Sequence, residues 1–456
     1  VFNMSAPPDR ASGVSSARLA GGQPRKALGP LYLLASLNTT LQIIAQPMAL
    51  SLRFEELASS AGLAAPDSAI AFGALVALRS LVELVATPLL ACWSDRAGRK
   101  AALCLCSLAY CLEYGVLAET ESLPIFVLAH LLGGLLASHG AIEGSCIVDA
   151  RTGSARSNAF TELFLCLGLA FIIGPVLGGE AASYGATEAF KVSKWASVCS
   201  LVWTMFFVPE YRRFQPQRSQ SPGNTGFGVL ADFALLLSKT DGLRGHIVAS
   251  FFSSCGMSAF LTLRTLWAHN VFGWDCRRLG RMASLYGMTL VAAQFLLLPL
   301  LVRMSPSREA CVARFCLLVH AVRFLAYSLA PSSAWVTATL VLSTAGSCSV
   351  PLLQMLCSQC VRADQQGLLS GGVSALNTLG QMMGALLGAF IFAESLRFGY
   401  SPSSHLALTS VCFGLAALCV SRQRKRQESP SRATSWVPKA EGMNGMDAAY
   451  PSATGR

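Results

Sequence analysis

Charge is what this chain has least of. Only 13% of its 456 residues are Asp, Glu, Lys or Arg, against roughly 25% in an ordinary soluble domain. Acids are scarcer than bases, 24 against 35. With 53% hydrophobic residues and a mean hydropathy of +0.50, that scarcity excludes a soluble globular chain and points to an all-α membrane protein of many spans. Metal ligands are equally short. There are six His and one CxxC, Cys357 and Cys360, with no second pair or His at zinc-site spacing, so no metal centre is expected. Most other cysteines lie inside apolar runs, where Cys acts as a small apolar residue. No nucleophile–base pair stands outside the apolar runs, which argues against an enzyme, and no cofactor is expected. The first apolar run, near residue 28, is long enough to span and has no small-residue cleavage site, so it reads as an anchor and not a signal peptide.

What the chain has in plenty is apolar runs of about 20 residues, each sufficient to cross a bilayer. Twelve are predicted, near 28–52, 69–93, 101–118, 124–147, 158–179 and 195–209, then 246–268, 282–302, 309–330, 334–356, 371–393 and 404–421. The implied organisation is a polar tail at 1–27, a six-helix bundle at 28–209, a polar connection at 210–245, a second six-helix bundle at 246–421 and a basic tail at 422–456. Both tails read as disordered. Within the connection, Phe227 to Lys239 reads as a short amphipathic helix on the membrane surface. Most of the basic residues fall on the side shared by the two tails, which makes both termini cytoplasmic. Arg277, Arg278 and Arg281 are the local exception. The net charge of +11 is therefore topology, not a nucleic-acid surface. An internal repeat supports two halves. Pro88-Leu-Leu with Ser94 recurs as Pro299-Leu-Leu with Ser305, and Gly174-Pro-Val-Leu-Gly178 as Gly384-Ala-Leu-Leu-Gly388, at nearly equal offsets.

The short connection after Thr87 is the most informative stretch. An apolar run stops at Ser94, and Asp95, Arg96, Arg99 and Lys100 follow around Gly98 before the next run starts. This resembles the signature loop between the second and third helices of the major facilitator superfamily, Gly-x-Leu-Ala-Asp-Arg-x-Gly-Arg-Lys. Asp95, Arg96, Gly98, Arg99 and Lys100 match, whereas Ala91, Trp93 and Ser94 replace the leading Gly, the Leu and the Ala. In the predicted fifth span, Gly174-Pro175-Val-Leu-Gly178-Gly179 resembles the Gly-Pro-x-x-Gly-Gly motif of the drug:proton antiporters. Small residues there permit close helix approach and the Pro a local bend; the same pattern also serves plain helix packing. Gly380, Gly384 and Gly388 form a matching stripe, and Val208-Pro209-Glu210 and Asp149 with Arg156 are smaller matches. The resemblance implies the twelve-helix fold of two pseudo-symmetric bundles. It also implies that Asp95 docks on the N-terminus of the eleventh helix, while an arginine of the same loop reaches Asp149.

Ionisable residues inside the spans are the strongest functional pointers, since charge in hydrocarbon costs several kcal/mol unless paired or wet. Arg79 and Glu83 lie four apart on one helical face, either as an ion pair that merely permits burial or as working groups. Glu113 and Glu162 have no basic neighbour at helical spacing, which makes them candidates for carrying a proton, with Glu162 ranked first and Glu113 second, His130 being its possible partner across the third and fourth spans. Glu143 is a further embedded acid. His130, before Gly133-Gly134, stands where the antiporter-like families often carry Arg; it is either a coupling residue or a core histidine. Arg264, His320 and Arg323 are the embedded basic groups of the second half. Asn38, Gln42 and Gln46 make a polar stripe on the first span, and Gln354, Asn377 and Gln381 are further neutral candidates for lining a central cavity. The combined expectation is an integral, monomeric carrier of a small organic solute exchanged for protons. A facilitator or symporter without proton exchange is the alternative within transport, and a transporter-like receptor or scaffold the alternative outside it. A wet, polar-lined cavity separates carrier from scaffold.

Overall fold

The computed structural model describes residues 27–151, 154–211, 236, 242–304, 308–361 and 365–420. Most of the amphipathic stretch expected at Phe227–Lys239, the residues before 27 and those after 420 lie outside them. In hydrocarbon every backbone N–H and C=O must be satisfied within its own segment, and the apolar runs accordingly form helices. In chain order these are α1 (Gly29–Ile44), α2 (Leu50–Ser60), α3 (Ala65–Ala97), α4 (Arg99–Glu119), α5 (Leu123–Gly134), α6 (His139–Ala150), α7 (Ser154–Ser183) and α8 (Ala186–Phe207). There follow α9 (Leu243–Phe272), α10 (Cys276–Ala292), α11 (Leu298–Met304), α12 (Glu309–Ser328), α13 (Ser333–Leu342), α14 (Ser349–Gln359), α15 (Gln366–Arg397) and α16 (Ser404–Cys419). The described residues contain no strand.

Local chemistry sets the ends. Pro30, Pro66 and Pro124 stand in the first turns of α1, α3 and α5, where a missing N–H leaves no bond unmade. Gly98, at φ 108°, separates α3 from α4 with no intervening loop. Asp275 caps α10 by accepting from the Arg278 N–H at 3.0 Å.

Several predicted spans are interrupted. A π turn at Ala45–Ala49, containing Pro47, joins α1 to α2, so the run expected at 28–52 continues to Ser60. Proline cannot donate to the ladder and forces the turn wider. A second π turn, Ala293–Leu297, precedes Pro299 and joins α10 to α11. The run expected at 124–147 is broken between α5 and α6, and the run expected at 334–356 bends by 50° between α13 and α14. The sixth predicted run starts earlier than 195, at Ala186, with Glu188 and Lys191 paired at 2.8 Å in its polar first turns. Among the described residues, eight helices are long and apolar enough to cross a membrane, nine if the bent pair counts as one, with Ser404–Cys419 shorter. By these criteria the count falls short of twelve.

The two halves of the chain meet at one end of the molecule. On α7 and α10, a Cβ on Gly179 would lie 2.5 Å from the Cys276 carbonyl oxygen, and one on Gly280 would overlap the Pro175 carbonyl. Ser284 Oγ donates to the Ile172 carbonyl at 2.6 Å, and Arg277 grips Glu180 with two bonds of 3.0 Å. On α3 and α15, a Cβ on Gly73 would overlap Ala389, and Arg397 pairs with Asp67. Within each half a glycine stripe seats a helix on its neighbour. Gly178 of α7 lies against Ile44 of α1, its Cβ position 2.9 Å from the Ile44 Cα; Gly388 of α15 lies against Ala259 of α9 at 3.0 Å. The Gly174–Gly178 and Gly384–Gly388 copies thus occupy corresponding packing positions, α7 on α1 and α15 on α9, whereas Pro88 lies inside the continuous α3 and Pro299 follows a π turn.

Candidate functional site: a cavity between the halves

Between the two halves, behind these contacts, lies a cavity of about 700 Å³. The first half contributes Val76, Arg79, Ser80 and Glu83 from α3, His130 from α5, and Phe171 and Pro175 from α7. The second half contributes Ser253, Ser254, Ser258, Thr262 and Arg264 from α9, Tyr286 from α10, Gln354 from α14, and Asn377 and Gln381 from α15. Polar groups from both halves stand in this lining among apolar ones, Ile43, Leu50, Phe72, Met257, Leu261 and Val350, and Ser250 behind it donates to the Asn377 side-chain oxygen at 2.8 Å.

A charged network stands in the first-half wall. Arg79 Nε donates to Glu83 at 2.8 Å, Arg79 Nη1 to Glu113 Oε1 at 2.6 Å and to the His130 carbonyl at 2.6 Å. His130 Nδ1 lies 2.9 Å from the same Glu113 oxygen. The same Nδ1 lies 2.9 Å from Arg79 Nη1, a donor, so the ring nitrogen is shared between an acceptor and a donor, and the two contacts call for opposite tautomers. Arg79, Glu113 and His130 are buried, while the Glu83 side chain is 39% exposed and reaches the cavity. The fit depends on Gly133, since a Cβ there would overlap the Glu113 carboxylate. Glu113 therefore does have a basic neighbour: Arg79 approaches from another helix, a register that spacing along α4 does not reveal. With His130 neutral, one cation between two carboxylates leaves a net charge of −1.

The remaining candidates lie elsewhere. Asn38 is buried inside the first half, donating to Glu143 at 3.1 Å and accepting from Ser200 at 2.5 Å. Gln42 bonds Tyr110 at 2.6 Å and approaches His139 Nδ1 at 3.2 Å. Neither is among the cavity-lining residues, and the Gln46 side chain lies outside the described residues. Glu162 is exposed on α7 and does not line the cavity. Tyr110, His139, Arg264 and Tyr286 are polar groups of the interior that the sequence did not single out as site residues. Of these, Arg264 carried a signal, an embedded charge.

The charged loop is ordered by acids from distant sequence. Glu210 accepts from the backbone N–H of Arg99 at 3.0 Å and of Lys100 at 3.1 Å, capping α4. Arg99 bridges Asp95 at 2.5 Å and Asp149 at 2.9 Å, so it is the arginine that reaches Asp149. In this structure Asp95 pairs with Arg99 and is largely exposed, without a described bond to the start of α15. Arg156 donates to the Arg151 carbonyl at 3.1 Å, and Arg96 is exposed.

Residues 28–385 match the family model of the Major Facilitator Superfamily, and the chain belongs to that superfamily. It is a multi-pass membrane transporter and not an enzyme. Over 335 residues it is 28% identical to the tetracycline resistance protein, class D, of Salmonella ordonez, covering 72% of this chain and 82% of that one. It is 25% identical over 337 residues to multidrug resistance protein 2 of Bacillus subtilis, covering 72% and 81%. The crystal structure of the human organic anion transporter MFSD10 (TETRAN) shares the fold at a TM-score of 0.63 and 21% identity, covering 88% of this chain and all of that one.

Proposed function

We propose that the chain is a secondary carrier of a small organic solute, exchanged for protons by alternating access between two six-helix halves, 28–209 and 246–421. The observation that carries this reading is the cavity of about 700 Å³, lined from both halves, with the Arg79–Glu83–Glu113–His130 network in its wall. A substrate site shared between halves is what rocking of one half on the other requires. The network's single surplus negative charge supplies a place for one proton. Glu162 gives way to Glu83 and Glu113, because a coupling group must sense the cavity and Glu162 stands apart from it. The twelve-span arrangement counts α1 with α2, α8, and α16 as crossings besides the nine of sufficient length, and puts both termini in the cytoplasm. The glycine contacts of α7 with α10 then close the outer end, and Asp95 reaches the start of α15 when the opposite end closes. The similarity to tetracycline and multidrug resistance proteins favours export of an organic molecule. The monomer is the working unit, since the cavity is complete within one chain.

The test uses the purified protein in liposomes. An imposed pH gradient should drive accumulation of a transported solute drawn from a panel of organic molecules. Glu113→Gln should abolish that accumulation while leaving downhill exchange intact. Accumulation in the variant equal to that of the unaltered protein, with the same dependence on the gradient, contradicts proton coupling through this network.

A further inference from the structure

Arg264 stands in the second-half wall and Arg323 behind it, and no acid among the described residues pairs with either. Arg323, on α12, is 2% exposed, and its Nε and Nη2 have no hydrogen-bond acceptor. Its guanidinium lies among rings instead, 4.4 Å from the centre of Phe324, 5.7 Å from Tyr286 and 5.9 Å from Tyr327. Arg264, on α9, lines the central cavity, and no ion pair or hydrogen bond of its side chain occurs among the described residues. The two arginines also line a smaller chamber of about 40 Å³ with Trp267, Trp274 and Tyr327. Arg264, Ala283 and Tyr286 belong to both linings, so the chamber adjoins the cavity. A water needs about 10–15 Å³ on such a measure, and the chamber has room for a group of carboxylate size. The described acids of this half stand at helix ends: Asp275 caps α10, Glu309 opens α12, and Glu394 pairs with Arg397 at 2.6 Å. His320 is buried on the same helix as Arg323, and its Nδ1 also lacks a partner.

A buried cation without a counterion is strongly destabilising, and the first half avoids that state by giving Arg79 two carboxylates. We propose that in the second half the missing counterion is the solute. Arg264 and Arg323 form an anion site, and the transported molecule is an organic anion whose oxyanion faces these guanidinium groups while a flat apolar body rests on Tyr286 and its neighbouring rings. Guanidinium groups match the planar geometry of a carboxylate and stack on aromatic faces. The proposal rests on the carrier reading above and names its substrate class. It also divides the cavity by charge, with the proton handled in the first-half wall and the anion held by the second.

Binding can be read without transport. The full chain, purified in detergent, is titrated with radiolabelled benzoate, 2-naphthoate and naphthalene-2-sulfonate, each beside a neutral counterpart (the amide or sulfonamide), and with chloride and phosphatidylglycerol as competitors. Saturable binding of at least one of these organic anions is expected, at least tenfold tighter than that of its neutral counterpart. Arg264→Gln and Arg323→Gln should each weaken that binding tenfold or more, and Arg264→Lys should restore part of it. Anion-over-neutral preference in the unaltered protein carries the test if a variant fails to fold. No saturable binding of any of the three anions, equal binding of the neutral counterparts, or displacement by chloride or phosphatidylglycerol as effectively as by the aromatic anion itself overturns the proposal. Failure of gradient-driven uptake with anion binding intact would count against the carrier reading alone.

Discussion

At the scale of single residues, Arg79 holds the most. It neutralises two carboxylates and satisfies a buried carbonyl, so its loss strands Glu113 in an apolar interior. Arg79→Ala should destabilise the protein by about 3–5 kcal/mol, the range for breaking one side of a buried ion pair; a thermal-unfolding midpoint close to that of the unaltered protein would contradict this. Gly133→Val should have a related but smaller effect, because the added side chain displaces the Glu113 carboxylate from its place. Of the pairs across helices, Glu113 with His130 was legible as a possibility, whereas Arg79 with Glu113 was hidden. Arg79 and Glu83 were legible from their spacing, and Glu113 and His130 as embedded polar groups. That Arg79 faces Glu113 depends on the rotation of α3 against α4, and nothing in either helix alone encodes it. The same holds for Asn38, whose stripe looked like a cavity face but is turned toward Glu143 and Ser200.

At the scale of elements, two junctions matter. The α3–α4 turn needs Gly98 twice over. Its φ of 108° disfavours a side chain, and a Cβ there would stand 2.7 Å from Glu210 Oε2. Glu210 then closes the first turn of α4 as a carboxylate at a helix N-terminus. Glu210→Gln keeps some of the hydrogen bonding but loses the charge, and should lower stability by about 0.5–2 kcal/mol, read in the same thermal-unfolding measurement. The loop motif was plain in the sequence, whereas its cap, more than a hundred residues away, appeared only as a small match at the end of the sixth run. The second junction is α7 on α10. A side chain at Gly280 would meet the Pro175 carbonyl, so Gly280→Val should force these helices apart and shift the molecule from the state described here, with loss of transport. Transport at the unaltered rate would show that this contact is not part of the cycle. The breaks at Pro47 and Pro299, and the bend between α13 and α14, were not legible as lengths of apolar sequence, because hydropathy reports burial in lipid and not the path of the backbone.

At the scale of the whole molecule, the closed end carries the ion pairs Arg397–Asp67 and Arg277–Glu180 and the glycine contacts behind them. The opposite end carries Asp95, paired here within its own loop. This asymmetry describes one state of a carrier, and the central claim is that a second state exists with the asymmetry reversed. The most direct measurement is pairwise spin-label distance by pulsed electron resonance, in a background from which the native cysteines have been replaced. One pair is placed at Asp67→Cys and Arg397→Cys, the other at Asp95→Cys and Gln366→Cys. Across changes of pH and added solute, each pair should show two distance populations that change in opposite senses, the 67–397 distance lengthening as the 95–366 distance shortens. A single unchanging distance for both pairs under all conditions would contradict alternating access.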